Sequence, residues 1–257
     1  MPNAVTSPPR PDQTADKVLS ALLHLAESDV PLSAREIAAG IARPLSTTYR
    51  YLSVLREWEL IAENLDGSGF VLGPRCMSLG HTFMQQFELG RLSLPVLQEL
   101  GRQTGETALL LIPVAEQVIC VESVESTRAL RYAFQKGVMI RSPLRGASAK
   151  AMLPYLSDQS VQDALEREPE LDAAEVFAER ERIREQGYAI SENEVDAGVV
   201  AVAAAILGRG GAMMGAVSVV APAFRVGPEL RQSYAAHVRR SAADIAGLVQ
   251  GVREGQP

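Results

Sequence analysis

The stretch from Ser33 to Leu72 constrains the fold more than any other part of the chain, because it carries its own start and stop signals. Ser33 stands three residues before Glu36, the spacing at which a hydroxyl and a carboxylate reciprocally satisfy the free amides of a helix start. This predicts a short helix from Ala34 to about Ala39, stopped at Gly40. After the bridge Ile41 to Leu45, Ser46 reads as a new cap and opens a helix running to about Trp58. Leu60 to Glu63 and Phe70 to Leu72 have strand composition and flank the turn-rich Asn64-Leu65-Asp66-Gly67-Ser68-Gly69. Two short helices across a Gly-containing turn, followed by a small hairpin, make a winged helix-turn-helix. Upstream, Val18, Leu19, Leu22, Leu23 and Leu25 recur at helical spacing, so another helix is expected from about Asp16 to Ser28, ended by Asp29-Val30-Pro31.

On the helix opened by Ser46, the 3.6-residue period turns Thr48, Leu52 and Leu55 to one side. Ser46, Tyr49, Arg50, Ser53 and Arg56 fall largely on the other, with Thr47 beside them. Hydroxyls and guanidinium groups on a free helix face are the groups that bond base edges and phosphates in a DNA major groove. Arg43, ahead of the helix, and Ser68, on the wing, are placed to touch backbone phosphates. For any one of these residues a solvated surface role is equally good, but the ordered series of helix, turn, helix and wing favours DNA. The acids Glu57, Glu59, Glu63 and Asp66 and the net charge of −6 oppose nonspecific coating of nucleic acid. DNA contact must therefore be local, and a homodimer or tetramer reading a palindromic double-stranded operator is expected.

At 257 residues the chain suits two domains with separate cores. Residues 1–13, rich in Pro, Ser and Thr, are expected to form a disordered arm. The winged helix-turn-helix is assigned to residues 14–75, a linker helix to 76–101 and an effector-binding domain to 102–254. The helix from Pro74 to about Glu99 should break or bend near Gly90 and Pro95, and its stripe of Cys76, Leu79, Phe83 and Phe87 fits a dimer seam or packing within its own domain equally well. Beyond Gly105 the period changes. Leu109 to Ile112 and Val118 to Val121 suggest an antiparallel hairpin, Leu130 to Gln135 a further strand and Ala147 to Leu156 a helix. Two charged helices are expected within Asp158 to Glu185, strands at Val199 to Leu207 and Met213 to Val220, and a final helix from Pro228. The fold class is α+β. No apolar run is long enough to cross a bilayer, and Cys76 and Cys120 form no disulfide framework, so a cytoplasmic protein is expected.

Several motifs resemble the IclR (isocitrate lyase regulator) family of bacterial transcription regulators, over about Asp16 to the end of the chain. Ser46-Thr47-Thr48-Tyr49-Arg50-Tyr51-Leu52 is similar to the family's recognition helix, and Phe70-Val71-Leu72-Gly73-Pro74 to its wing exit. Pro143 to Ala151 resembles the loop and helix start that lie against the effector, and Arg184 to Ala189 the segment before the last strands. Gly198 to Ala204 and Gly215 to Val219 look like the strands of the pocket floor. The resemblance implies a GAF-like effector domain, a dimer or tetramer, and a metabolite ligand. Ala201 stands where many members carry Cys, Ser191 where some carry Asp, and Val220-Ala221 where the strand often continues Ser-Gly. These departures remove polar groups, so the expected effector is more apolar than glyoxylate or pyruvate, an aromatic or alicyclic acid. Free amides at Gly146, Ala147 and Ser148 would hold its carboxylate, and Val199, Ala201 and Val220 its body. Ser191, Ser218, Leu130 and Tyr132 complete the expected site, with a structural role for Leu130 and Tyr132 equally good.

No catalytic residue, metal site or cofactor is expected. Ser148 and Lys150 sit two apart and point to different sides of a helix start, His24, His81 and His237 are scattered, and Glu192, Glu194 and Asp196 read as solvated loop charge. Two alternatives stay open beside a ligand-responsive regulator of a catabolic operon: a small-acid hydrolase or transferase in the carboxy-terminal domain, and a sensor whose winged helix binds protein.

Overall fold

In the computed structural model, which describes residues 14–86, 88–114, 117–140 and 142–254, the chain divides into two units, residues 1–86 and 87–257. The expected disordered arm, residues 1–13, and Phe87 of the apolar stripe lie outside the described residues.

The first unit holds α1 (Thr14–Ala26), α2 (Ala34–Gly40), α3 (Leu45–Glu57), β1 (Ile61–Glu63), β2 (Phe70–Leu72) and α4 (Pro74–Gln86). The capping signal at Ser33 operates as its chemistry dictates: the Glu36 amide donates to the Ser33 hydroxyl at 3.3 Å, and the Ser33 amide to the Glu36 carboxylate at 2.7 Å. The start of α3 differs from expectation. Pro44, not Ser46, is the N-cap. Its φ of −57° suits a helix entry, and its carbonyl accepts from the Thr47 and Thr48 amides, so Ser46 already lies inside the first turn. Ala21, Leu25, Ile37, Leu52, Leu55 and Ile61 form one core, so α1 and α2 hold the inner face of α3. β1 and β2 pair antiparallel with Ile61 opposite Leu72, and Leu32 extends the ribbon by a bridge to Phe70.

The second unit runs α5 (Glu88–Thr104), β3 (Thr107–Val114), β4 (Gln117–Val124), β5 (Met139–Ile140), α6 (Ala147–Met152), α7 (Asp158–Arg167), α8 (Ala173–Gln186), β6 (Ala189–Glu192), β7 (Val199–Leu207), β8 (Met213–Pro222) and α9 (Pro228–Glu254). Its antiparallel sheet has the order β5-β4-β3-β8-β7-β6. Alternation along each strand gives the sheet two apolar faces. Leu109, Leu111, Ala203, Ala216 and Val220 pack with Ala147 and Met152 of α6 on one. The opposite parity, including Leu110, Val217 and Val219, is buried with Leu97 and Leu100 of α5 and Val238 and Ile245 of α9. The carboxylate of Glu106, with its side chain 0% exposed, sits where α5 meets β3 and bonds Arg128 at 2.9 Å.

Three further expectations are corrected. Gly90 and Pro95 both lie inside α5, so the helix does not break at either. Leu130 to Gln135 joins no ladder, because its carbonyls are used elsewhere: Leu130 accepts from Arg225 and Tyr132 from the Thr107 hydroxyl. The helix from Ala147 stops at Met152 and tightens into a 3-10 turn over Leu153–Tyr155, which carries Pro154. No helix among the described residues is long and apolar enough to cross a membrane.

Candidate DNA-reading face and effector cavity

On α3 the inward side is Thr48, Leu52 and Leu55, all buried, and Ser46, Tyr49, Arg50, Ser53 and Arg56 are exposed. Thr47 and Arg43 are half-buried. The guanidinium of Arg50 has no ion pair or hydrogen bond among the described residues, whereas that of Arg56 is held by Glu63 of β1 at 2.8 Å. A phosphate approaching Arg56 must compete with that carboxylate. Ser68 lies on the exposed wing but is engaged locally: its amide donates to Asp66 at 2.8 Å, and its hydroxyl accepts from Asn64 at 2.9 Å. The Ser68 hydroxyl and amide hold the Asp66 carboxyl below its usual range, so the wing carries a fixed negative charge beside the one hydroxyl it offers. Any reading of DNA by this unit therefore rests mainly on α3.

In the second unit, a cavity of about 40 Å³ lies between the sheet and the start of α6. Leu109, Leu111, Val199, Ala201 and Val220 supply its floor from β3, β7 and β8. Tyr132, Phe134 and Ile140 close one side, and Gly146, Ala147 and Ser148 open α6 against the other. Ser191 completes the set from β6. Mostly apolar walls with a few polar groups converging on them are the lining of a small-molecule site, although the closed volume is small and a ligand would have to widen it. Of the residues expected here, the fold brings together Tyr132, Gly146, Ala147, Ser148, Ser191, Val199, Ala201 and Val220.

It leaves out two. Leu130 is 59% exposed and off the cavity, because its stretch follows Arg225 instead of the sheet. Ser218 shares the cavity face of the sheet, opposite Leu109 and Ala203, but lies beneath the lining, fully buried and with its hydroxyl unpartnered.

The amides expected to be free are not all so. Gly146 donates to the Glu194 carboxylate at 3.0 Å, and Ala147 to the Ser191 hydroxyl at 2.9 Å. Glu194, Val195 and Asp196, on the loop between β6 and β7, also line the cavity, so charge expected to be solvated is built into its wall. Asp196 accepts from the Tyr132 hydroxyl, and burial together with that carboxylate pushes the phenol upward. Lys150, its side chain 7% exposed, bonds Glu179 at 2.6 Å and Glu194 at 2.7 Å. The amine that a Ser-Lys pair would need is thus held as an ammonium between carboxylates. A signal for the wall was present at Gly146. Its φ is +81°, and a Cβ there would meet Val195 at 2.8 Å, so the glycine admits the loop closely.

Two family models match the chain: the IclR helix-turn-helix domain over residues 14–64 and the bacterial transcriptional regulator IclR carboxy-terminal domain over residues 81–247. An HTH-type transcriptional repressor AllR of Salmonella typhi is 26% identical over 243 residues, covering 91% of this chain and 89% of the relative. An IclR transcriptional regulator from Alicyclobacillus acidocaldarius superimposes with a TM-score of 0.78 at 21% identity, covering 91% of this chain and 98% of that one. An IclR homolog from Microbacterium hydrocarbonoxydans, solved with 4-hydroxybenzoate, gives a TM-score of 0.76 at 16% identity, covering 93% and 100%. The two models together cover both units, an amino-terminal helix-turn-helix and a carboxy-terminal domain, and the chain belongs to the IclR family of bacterial transcriptional regulators.

Proposed function

We propose that this chain is a cytoplasmic, non-enzymatic regulator of a catabolic operon that binds a palindromic duplex operator as a homodimer or tetramer and answers to a small organic acid, aromatic in its preferred form. The observation that carries the reading is the solvent-facing side of α3, where Tyr49, Arg50 and Ser53 stand exposed on a helix whose other side is locked into the core. Ser46, Thr47 and Arg56 extend that side, with Arg43 and Ser68 as backbone contacts. A second copy is supported by apolar side chains left in water in the first unit: Leu19 and Leu23 on α1 are 53% and 63% exposed, and Met77 and Leu79 on α4 are 78% and 58% exposed.

The effector occupies the cavity of the second unit, a reading supported by its apolar floor and by the 4-hydroxybenzoate bound to the Microbacterium relative. Occupancy changes operator affinity through the segment 76–101, which joins the DNA-binding part, 14–75, to the effector-binding part, 102–254. Fluorescence anisotropy tests this with the full chain and the DNA upstream of its own gene, with and without 4-hydroxybenzoate, at one fixed salt concentration. Saturable binding that the acid shifts is expected. Binding no tighter than to unrelated DNA of the same length overturns the reading.

A further inference from the structure

The wall of the cavity contains an anion of its own. One oxygen of the Glu194 carboxylate accepts from the Gly146 amide at 3.0 Å, and the other from the Lys150 ammonium at 2.7 Å. Gly146 lines the cavity, whereas Lys150 is screened from it by Glu194, so a free carboxylate that displaced Glu194 would meet the same two donors. Building on the effector reading above, we propose that Glu194 is a displaceable internal substitute for the effector's carboxylate: a ligand acid replaces it on Gly146 and Lys150, and the loop between β6 and β7 swings outward as a gate.

Four observations carry this. Glu194 sits on a lip, its side chain 29% exposed, and borders both the cavity and an open cleft that also touches Ser142 and Arg145. It therefore has a place in water to go. The loop is pinned at its base, where Asn193 at φ +60° accepts the Gly198 amide on its side chain at 2.6 Å and donates its own amide to the Val199 carbonyl at 2.9 Å. Glu194, Val195 and Asp196 can then move together about that base, restrained across the mouth by the Tyr132 hydroxyl on Asp196.

Charge selects the ligand. Withdrawing Glu194 alone would leave the ammonium of Lys150, 7% exposed, with Glu179 as its remaining carboxylate and would strip the acceptor from Gly146. Only an incoming carboxylate restores both, one anion for another. Finally, Ser148 lines the same cavity at 5% exposure, and its hydroxyl has no partner among the described residues. That hydroxyl opens onto the cavity, so a polar group arriving there finds a hydrogen-bonding partner one helix position from Ala147.

An internal competitor lowers apparent affinity by the fraction of time it vacates the site. Removing it should tighten acids and leave neutral analogues alone. The test is isothermal titration calorimetry on the full wild-type chain, Glu194→Ala and Glu194→Gln, using benzoate, 4-hydroxybenzoate and the neutral benzamide. The expected result is an acid affinity raised about tenfold in Glu194→Ala and less in Glu194→Gln, with benzamide unchanged, as for a closed gate favoured about ten to one. Acid affinity equal or weaker in both folded variants overturns the gate while leaving the effector reading standing. Acids that bind neither wild type nor variants overturn both. Should the variants not fold, the wild-type chain still decides: saturating benzoate must move the backbone amide resonance of Gly146, and an unmoved resonance refutes the exchange.

Discussion

Arg50 and Arg56 lie on the same exposed side of α3, yet the structure predicts that they contribute unequally to operator binding. Arg50 is unpaired among the described residues. If it bonds a base edge or phosphate, Arg50→Ala should cost about 1–3 kcal/mol, or roughly 5- to 150-fold in Kd. Arg56 begins in a contact with Glu63 at 2.8 Å, the two side chains being 58% and 62% exposed. An exposed pair of this kind is worth about 0–1 kcal/mol, so DNA must surrender that much to engage Arg56 and must also accept Glu63 nearby. Arg56→Ala should then weaken binding by no more than about threefold, the smaller end of a single phosphate contact less the pair it breaks. Glu63→Gln should strengthen binding severalfold and steepen the salt dependence by about 0.9 in log–log slope, as one more phosphate contact requires. Anisotropy titrations with a fixed operator over 50–200 mM salt, the range where such slopes are read, measure all three variants. Both arginines are on the surface, so unfolding free energies should stay within about 0.5 kcal/mol of wild type and remove folding as an explanation. Equal losses for the two arginines, or weaker binding in Glu63→Gln, would refute the reasoning.

Leu55, 1% exposed in the core beneath α3, should cost about 2–5 kcal/mol when cut to Ala, read as a lower urea midpoint of the transition involving residues 14–86. The Ser33 hydroxyl and amide hold the Glu36 carboxyl below its ordinary value of 4.5, so its contribution is present above pH 4.5 and fades as pH falls through the depressed folded value. Wild type and Glu36→Ala should accordingly differ in denaturation midpoint at pH 7, with the gap shrinking as pH falls through the depressed folded value; a gap that does not shrink contradicts the cap as its source. Ala201→Phe fills the cavity floor and should abolish 4-hydroxybenzoate binding while operator binding survives, checked by calorimetry and anisotropy on one preparation.

Elements whose signals are local were legible in the sequence. The Ser33 and Glu36 pair announces α2, Gly187 in the left-handed region ends α8, and the parity of Thr48, Leu52 and Leu55 predicts which side of α3 is buried. The start of α3 was misread because the helix begins at Pro44 with no side-chain cap, so the capping residue type sought in the sequence does not mark it. Strand character at Leu130 to Gln135 was real in composition, but no neighbouring edge offers it a ladder. The cavity was half visible. Residues on strands and at the helix start were named from resemblance and pattern, while Phe134, Ile140, Glu194 and Asp196 reach it through chain reversals that no short-range period encodes. Acids in a Gly-bounded loop ordinarily face water. What turns Glu194 inward is Lys150, a pairing across 44 positions that only the folded chain reveals.

Among the described residues the large sheet is blunt at both margins: β5 has 2 residues and β6 has 4, against 8 to 10 in the interior strands. A margin that short offers an intruding chain too few backbone partners to template growth, which protects the domain from fibrous self-association while it is being synthesised. It also means that higher-order assembly of the second unit has to recruit helical or loop surface, so substitutions along β5 and β6 should leave subunit stoichiometry unaltered.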